Sequence, residues 1–383
     1  MRILHIAVHS GWQTELSGGS GSNAGDTALN PIIQKLFLEN IENIDFTNRQ
    51  VWEFVKSEDI LEWNQIYDYI LIGGGGLLLN DQPGLDSSLS GWTWQISLNN
   101  LKKIEVPFIV YSLGFNKFFG GANFEKIFWE SIYYIYKKSI FFSMRNTGSI
   151  EKIKEGFVLN NFKFNSKKFF LQPCLTQIYT NLFNEHQNGY FNISSDPPFK
   201  ICLNLAFDRV SQRINYSSKL LNEKLYLTIN SFLNDENNLI ENLVLIKHKQ
   251  IDELIDEYTS KLLIDHKNRF SILDISSFST NHIYEIYRKF DFSIGMRGHG
   301  VMIPLGAGVL PYSLISHPKL IYLLEDLGII DYKKVCFNIQ NEFDPYLLKE
   351  SFFEFIKLRN KYVFEFSKGL DYFVSITKKI LNL

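Results

Sequence analysis

Residues 291–319, DFSIGMRGHGVMIPLGAGVLPYSLISHPK, decide the fold class. A short apolar run over 292–295 gives way to a turn holding Arg297 and His299. A helical stretch begins near Gly300, a second apolar run spans 309–314, and Lys319 opens the next helix. Two strands joined by a helix in so short a span form a crossover between parallel strands, the unit of sheets covered by helices on both faces. Such sheets bind ligands beyond the carboxyl ends of their strands. Arg297 and His299 at one strand end and Lys319 at the next therefore converge on one pocket, and their charge makes it an anion site. A His in a Gly-flanked turn points to function rather than packing.

The same alternation runs along the whole chain of 383 residues, a length that fits two domains. Strands are expected at 2–8, 69–73, 107–112, 140–144 and 168–171, then again at 200–205, 243–247, 270–273, 292–295 and 309–314. Between the two series lies 184–200, rich in Asn, Ser, Gly and Pro, which reads as a linker with its boundary near Asp196. The expected organisation is an α/β chain: a Rossmann-like unit over 1–190, a second over 191–345, and helices over 346–383 packing back on the first.

Three further loops carry candidate chemistry. After the first strand, a Gly/Ser-rich stretch ends in Ser22-Asn23-Ala24-Gly25-Asp26 before an amphipathic run, so Asp26 sits at a helix start, either as its N-cap or as a carboxylate facing the cleft. Gly73, Gly74, Gly75 and Gly76 end the 69–73 strand, where backbone N–H groups can approach a ligand; close packing of the following helix is the other reading. Asp81 beyond them, with Trp92 and Trp94, can offer a carboxylate and flat faces to a sugar. Arg145, in Ser143-Met144-Arg145-Asn146, ends another strand and can grip a carboxylate or phosphate at a helix start, or form a surface ion pair.

Composition narrows the class. With 39 Lys and Arg against 41 Asp and Glu, the net charge of −2 offers no basic field for nucleic acid. Cys174, Cys202 and Cys336 are odd in number and widely spaced, suiting a reducing cytoplasm. No H-x-x-H, H-E-x-x-H or D-x-D pattern occurs, so no metal site is expected. No run approaches a membrane span. The spaced Phe, Tyr, Ile and Leu of 346–383 pack on the protein or lie at the inner face of the cytoplasmic membrane.

Taken in order, Gly25-Asp26, Gly73 to Gly76, Ser112-Leu113-Gly114, the Arg145 turn, Ile294-Gly295-Met296-Arg297-Gly298-His299, Gly308 to Pro311 and Lys319 resemble the polysaccharide pyruvyltransferase family. The resemblance implies a fold of two Rossmann-like domains facing across a cleft, similar to the GT-B glycosyltransferases. It also implies transfer of a pyruvyl unit from phosphoenolpyruvate to two hydroxyls of a saccharide or lipid-linked saccharide, forming a cyclic ketal of a capsule, exopolysaccharide or cell-wall polymer without a cofactor. By resemblance Arg145 and Arg297 clamp the donor, Lys319 neutralises phosphate, His299 donates a proton and Asp26 joins the catalytic set, with Asn23, Gly25, Gly114 and Gly298 lining the substrate site. The family's Arg-Asp appears here as Arg145-Asn146, its Arg-Leu-His as Arg297-Gly298-His299, and its Asp-Pro as Gln172-Pro173. The alternative is a metal-independent glycosyltransferase using a nucleotide sugar; a binder without turnover is the third class.

Overall fold

The computed structural model describes residues 1–9, 23–81, 84–183, 190–191, 193–194 and 196–381. The first sheet is parallel, in the order β2-β1-β3-β4-β5-β6, built from β1 (Arg2–Ala7), β2 (Asp45–Gln50), β3 (Tyr69–Leu78), β4 (Phe108–Phe115), β5 (Ser139–Met144) and β6 (Phe169–Leu171). The second is also parallel, in the order β12-β11-β10-β7-β8-β9, from β7 (Phe199–Asn204), β8 (Ile240–Lys247), β9 (Phe270–Asp274), β10 (Phe292–Gly295), β11 (Leu310–Ile315) and β12 (Cys336–Asn338).

All ten expected strands are present. The two that were not expected, β2 and β12, are sheet edges: β2 is mostly polar and largely open to solvent, and β12 has three residues. An edge strand lacks the double-sided burial that makes central strands read as apolar runs. Part of the expected linker, 184–189 with 192 and 195, lies outside the described residues.

Two of the glycines of β3 follow the packing reading rather than that of a ligand-binding loop. Gly73, Gly74 and Gly75 lie inside the strand at φ +150°, +89° and +105°, beside an irregularity in its pairing with β4. A Cβ on Gly73 would collide with the Tyr111 carbonyl, and one on Gly74 with the Asn30 side chain. Backbone geometry and close packing therefore account for these two glycines. Trp92 and Trp94 are likewise corrected. They are 1% and 0% exposed, inside the core beneath β3 and β4, and show no face to a sugar.

The core on the other face of the first sheet is continuous with that of the second. Ile33 and Phe37 of the helix Ala24–Asn40, Leu175 and Ile178 share one apolar cluster with Val301 and Ile303 of the helix His299–Ala307. The helix Arg359–Leu381 touches both sheets' neighbourhoods. Phe366 and Phe373 join that cluster, while Gln172, after β6, donates from Nε2 to Thr377 Oγ1 at 3.0 Å.

Two core histidines are held neutral. Burial first, then His9, lowers His5 to about 3, against a bond to the Gly73 carbonyl that raises it. Burial and Arg297 lower His248 to about 3. The unfolded chain therefore takes up protons that the fold cannot as pH falls from 6.5 toward 3, and stability is lost across that window by on the order of a few kcal/mol per histidine. We expect the melting temperature to drop steeply in that range, and His5→Gln to flatten the drop; an equally steep pH dependence in His5→Gln would refute this assignment.

Candidate functional site

The carboxyl ends of both sheets face one cavity of about 420 Å³. Asn23 and Asp26 reach it after β1, Gly76 from β3, Asn116 after β4 and Arg145 after β5. The second sheet contributes Asp208, Arg209 and Arg213 after β7, Lys249 after β8, Arg297, Gly298 and His299 after β10, and Lys319 after β11. Several contacts tie the two sides. Lys319 Nζ donates to Asn116 Oδ1 at 3.1 Å, Arg209 Nε stands 3.4 Å from Asp81 Oδ2, and Asp326 accepts from the backbone N–H of Thr147 at 2.9 Å. Gly25 packs against the His299 ring so closely that any Cβ there would overlap the imidazole.

Asp26 is not the N-cap. Asn23 caps the helix Ala24–Asn40, accepting from Gly25 N, and its Nδ2 donates to Asp26 Oδ2 at 2.8 Å. Burial raises the Asp26 carboxyl above its usual range, opposed by Lys249, Asn23, Arg145 and Lys319. Asn146 caps the next site helix, Thr147–Leu159, through Oδ1 and Ser149 N, which fixes the turn that aims Arg145. An Asp could cap in the same way, so Asn here preserves the turn. Gly298 leaves room for the Lys319 stem, since a Cβ would approach Lys319 Cε at 3.0 Å.

The two arginines expected to act alike do not. Arg297 is an ion-pair partner through two of its nitrogens: its Nε donates to Asp252 Oδ2 at 2.6 Å, its Nη2 donates to Asp252 Oδ1, and Nη2 also lies 2.9 Å from Asp208 Oδ1. Asp252 has no exposure at all. Burial would raise the Asp208 carboxyl, but Arg297, Arg213 and Lys249 hold it well below the carboxylate range. Arg297 thus lines the cavity as an ion-paired anchor of its wall, unlike a free cation.

Arg145 is 6% exposed, and its Nε and Nη2 donate to no acceptor among the described residues. Its guanidinium lies over Gly114 and beside Gly76, where a Cβ would obstruct it. Gly114 therefore seats Arg145, while Gly75 is the nearer neighbour of Asp26. Burial, then Arg145 and Lys319, hold His299 well below its ordinary value, so its imidazole is neutral. Burial and the flanking Arg145 and Arg213 also depress Lys319. Cys174 Sγ lies 3.7 Å from His299 Nε2, with its thiol pushed up by burial.

Asp208, Arg209, Arg213, Lys249 and Asn116 were not expected. Their signal was available in principle, because each follows a predicted strand at its carboxyl end, but none stands in a glycine-flanked turn.

A cation-lined cleft between two parallel sheets, each covered by helices, is an α/β architecture of GT-B-like fold. Residues 23–314 match the polysaccharide pyruvyl transferase family, and the chain belongs to that family. Similar solved structures include a Staphylococcus aureus MnaA–UDP complex, at TM-score 0.52 and 12% identity, covering 100% of this chain and 97% of that one. Another is a putative UDP-N-acetylglucosamine 2-epimerase from Listeria monocytogenes, at TM-score 0.51 and 10% identity, covering 96% and 91%. These likenesses concern the fold. Comparison with curated protein sequences gives no match. Among the described residues no helix is long and apolar enough to cross a membrane.

The contrast between the arginines is testable without ligand. Arg297→Met strands Asp252 and part of Asp208 in the interior and should cost roughly 3–5 kcal/mol of stability. Arg145→Met removes a buried cation with unused donors, so its ligand-free melting temperature should equal or exceed that of wild type. Equal losses in both variants would sink the distinction.

Proposed function

We propose that the chain transfers a pyruvyl group from phosphoenolpyruvate to two hydroxyls of a sugar in a surface polysaccharide or its lipid-linked precursor. The observation that carries this reading is Arg145, buried beside Lys319 and His299 with two unused donors. A buried polar group without a partner calls for one, and a planar donor pair fits a carboxylate or phosphate.

The chemistry follows from the donor. A proton added to the methylene carbon breaks the C=C π bond and leaves the adjacent carbon electrophilic. One sugar hydroxyl attacks it and loses its proton, phosphate departs with the C–O bond electrons, and the second hydroxyl closes the ketal and loses its proton. Arg145 and Lys319 hold the anionic groups. His299 is neutral in the empty site, first because it is buried and then because Arg145 and Lys319 flank it, and a donor carrying a carboxylate and a phosphate offsets the second of these causes. Its arrival raises the imidazole toward protonation, so the acid forms when the donor is present. Asp26, beside His299 across Gly25, faces the same space and is placed to take a hydroxyl proton.

Calorimetry above neutrality, where the donor's own phosphate is fully ionised, should show proton uptake on phosphoenolpyruvate binding when buffers of different ionisation enthalpy are compared. Because the bound state holds more protons, affinity should rise as pH falls. Arg145→Ala should abolish binding. His299→Ala should remove part of the uptake, keep affinity within a few-fold, and lower kcat for phosphate release by about 10²- to 10⁴-fold. Binding with proton release would overturn the proposed role of His299.

The proposed charge stabilisation comes from side chains, so chelator should leave phosphate release unchanged. Tight binding of a nucleotide sugar in place of phosphoenolpyruvate would favour the glycosyltransferase reading, and activity that needs magnesium would overturn the proposal that side chains supply the charge stabilisation.

A further inference from the structure

A second cavity of about 450 Å³ adjoins the first, and Phe118 lines both. Its volume falls within the roughly 300–1,000 Å³ of small-ligand sites. Phe115 and Trp129 lie nearly parallel at an interplanar angle of 23°, with Phe124 5.0 Å from the Phe115 ring centre. Tyr322 and His317 also line it, contributed by the loop and helix that carry Lys319. Two rings are seated on the same helix, Thr147–Leu159. A Cβ on Gly156 would collide with the Trp129 ring, and one on Gly148 with that of Tyr322. Lys117, Lys152 and Glu155 supply charged groups at the rim, the last two paired at 2.8 Å.

Flat apolar faces with polar groups at their edges match a pyranose ring, whose C–H bonds cluster on one face and whose hydroxyls project around the rim. An acyl chain has no use for charges at the rim. We propose that this cavity is a saccharide subsite, holding a sugar unit of the acceptor next to the one that reacts, with Trp129 and Tyr322 as its principal contacts. The proposal rests on the transfer reading for the word acceptor. Phe118 is a wall that the two cavities share, which sets a sugar in the aromatic cavity beside the cation cavity. The cleft's sugar-binding aromatic rings are thus Trp129 and Tyr322 rather than the core residues Trp92 and Trp94.

Saturation-transfer NMR with phosphoenolpyruvate present tests this, using maltotetraose, cellotetraose, laminaritetraose and mannotetraose as probes and methyl glucoside as the single-unit control. At least one tetrasaccharide should bind wild type better than methyl glucoside. Trp129→Ala should weaken it by about tenfold or more, as for a central aromatic contact, while donor affinity stays within twofold. Tyr322→Ala, at a ring contributed by a different helix, repeats the measurement if Trp129→Ala melts early. Binding by none of the four, binding untouched by both substitutions, or capture of dodecyl chains or anionic vesicles alone overturns the subsite. Sugar binding that depends on Trp129 in a protein without affinity for phosphoenolpyruvate supports the subsite and sinks the transfer reading.

Discussion

A guanidinium taken out of water requires an anion, and this cleft meets that requirement at Arg297 while leaving it open at Arg145. Asp252 and Asp208 close the fork of Arg297 and make it part of the wall. Around Arg145 the nearest groups are glycines, an amide and other cations, and Asp26 interacts with it at longer range. The desolvation cost of that arrangement has to be met by the rest of the fold. Two cores joined through the helix Ala24–Asn40 and the 174–179 segment supply the stiffness that keeps the groups from relaxing toward solvent.

Topology explains how the open cation comes to face its neighbours. In a parallel sheet every strand delivers its following loop to the same edge, and here two such edges meet. Arg145 and Lys319 come from different sheets, yet Asn116 bridges toward Lys319 and Thr147 is clasped by Asp326 at the far end of the helix Pro318–Asp326. The overlap that any Cβ at Gly25 would create with His299 sets how near the two edges can stand. A shift of either sheet would separate the imidazole from Asp26 and the lysine from the guanidinium together.

The parts legible in the sequence are those with a strong local signature. Buried parallel strands read as apolar runs, and Arg297, His299 and Lys319 stand in a glycine-rich crossover. Other features needed tertiary information. β2 is polar because an edge strand tolerates it, so its sequence resembles a loop. The glycine run signals a special backbone in any reading, but only the neighbouring Tyr111 carbonyl and Asn30 show that packing, not phosphate, requires it at Gly73 and Gly74. Trp92 and Trp94 follow serine and glycine in a segment that resembles an exposed loop, yet they fill the core. Above all, a sequence shows where cations are and not which are already paired. Asp252 lies 45 residues from Arg297, and nothing local links them.

That pairing pattern bears on timing in the proposed reaction. If every cation were free, the empty cleft would bind any small anion and hold His299 so far from protonation that no acid could form. Asp252 and Asp208 offset part of that charge, Asp208 being shared by Arg297, Arg213 and Lys249, and in the proposed reaction Arg145 and Lys319 are left for the donor's carboxylate and phosphate. The imidazole then lies at the balance point. Buried and flanked by cations it stays neutral in the empty cleft, and in the proposed reaction the donor's charges beside it raise it toward protonation where the methylene carbon must receive a proton. Asp208 and Asp252 therefore do more than hold a loop, because they set how much charge the donor must bring before His299 becomes an acid.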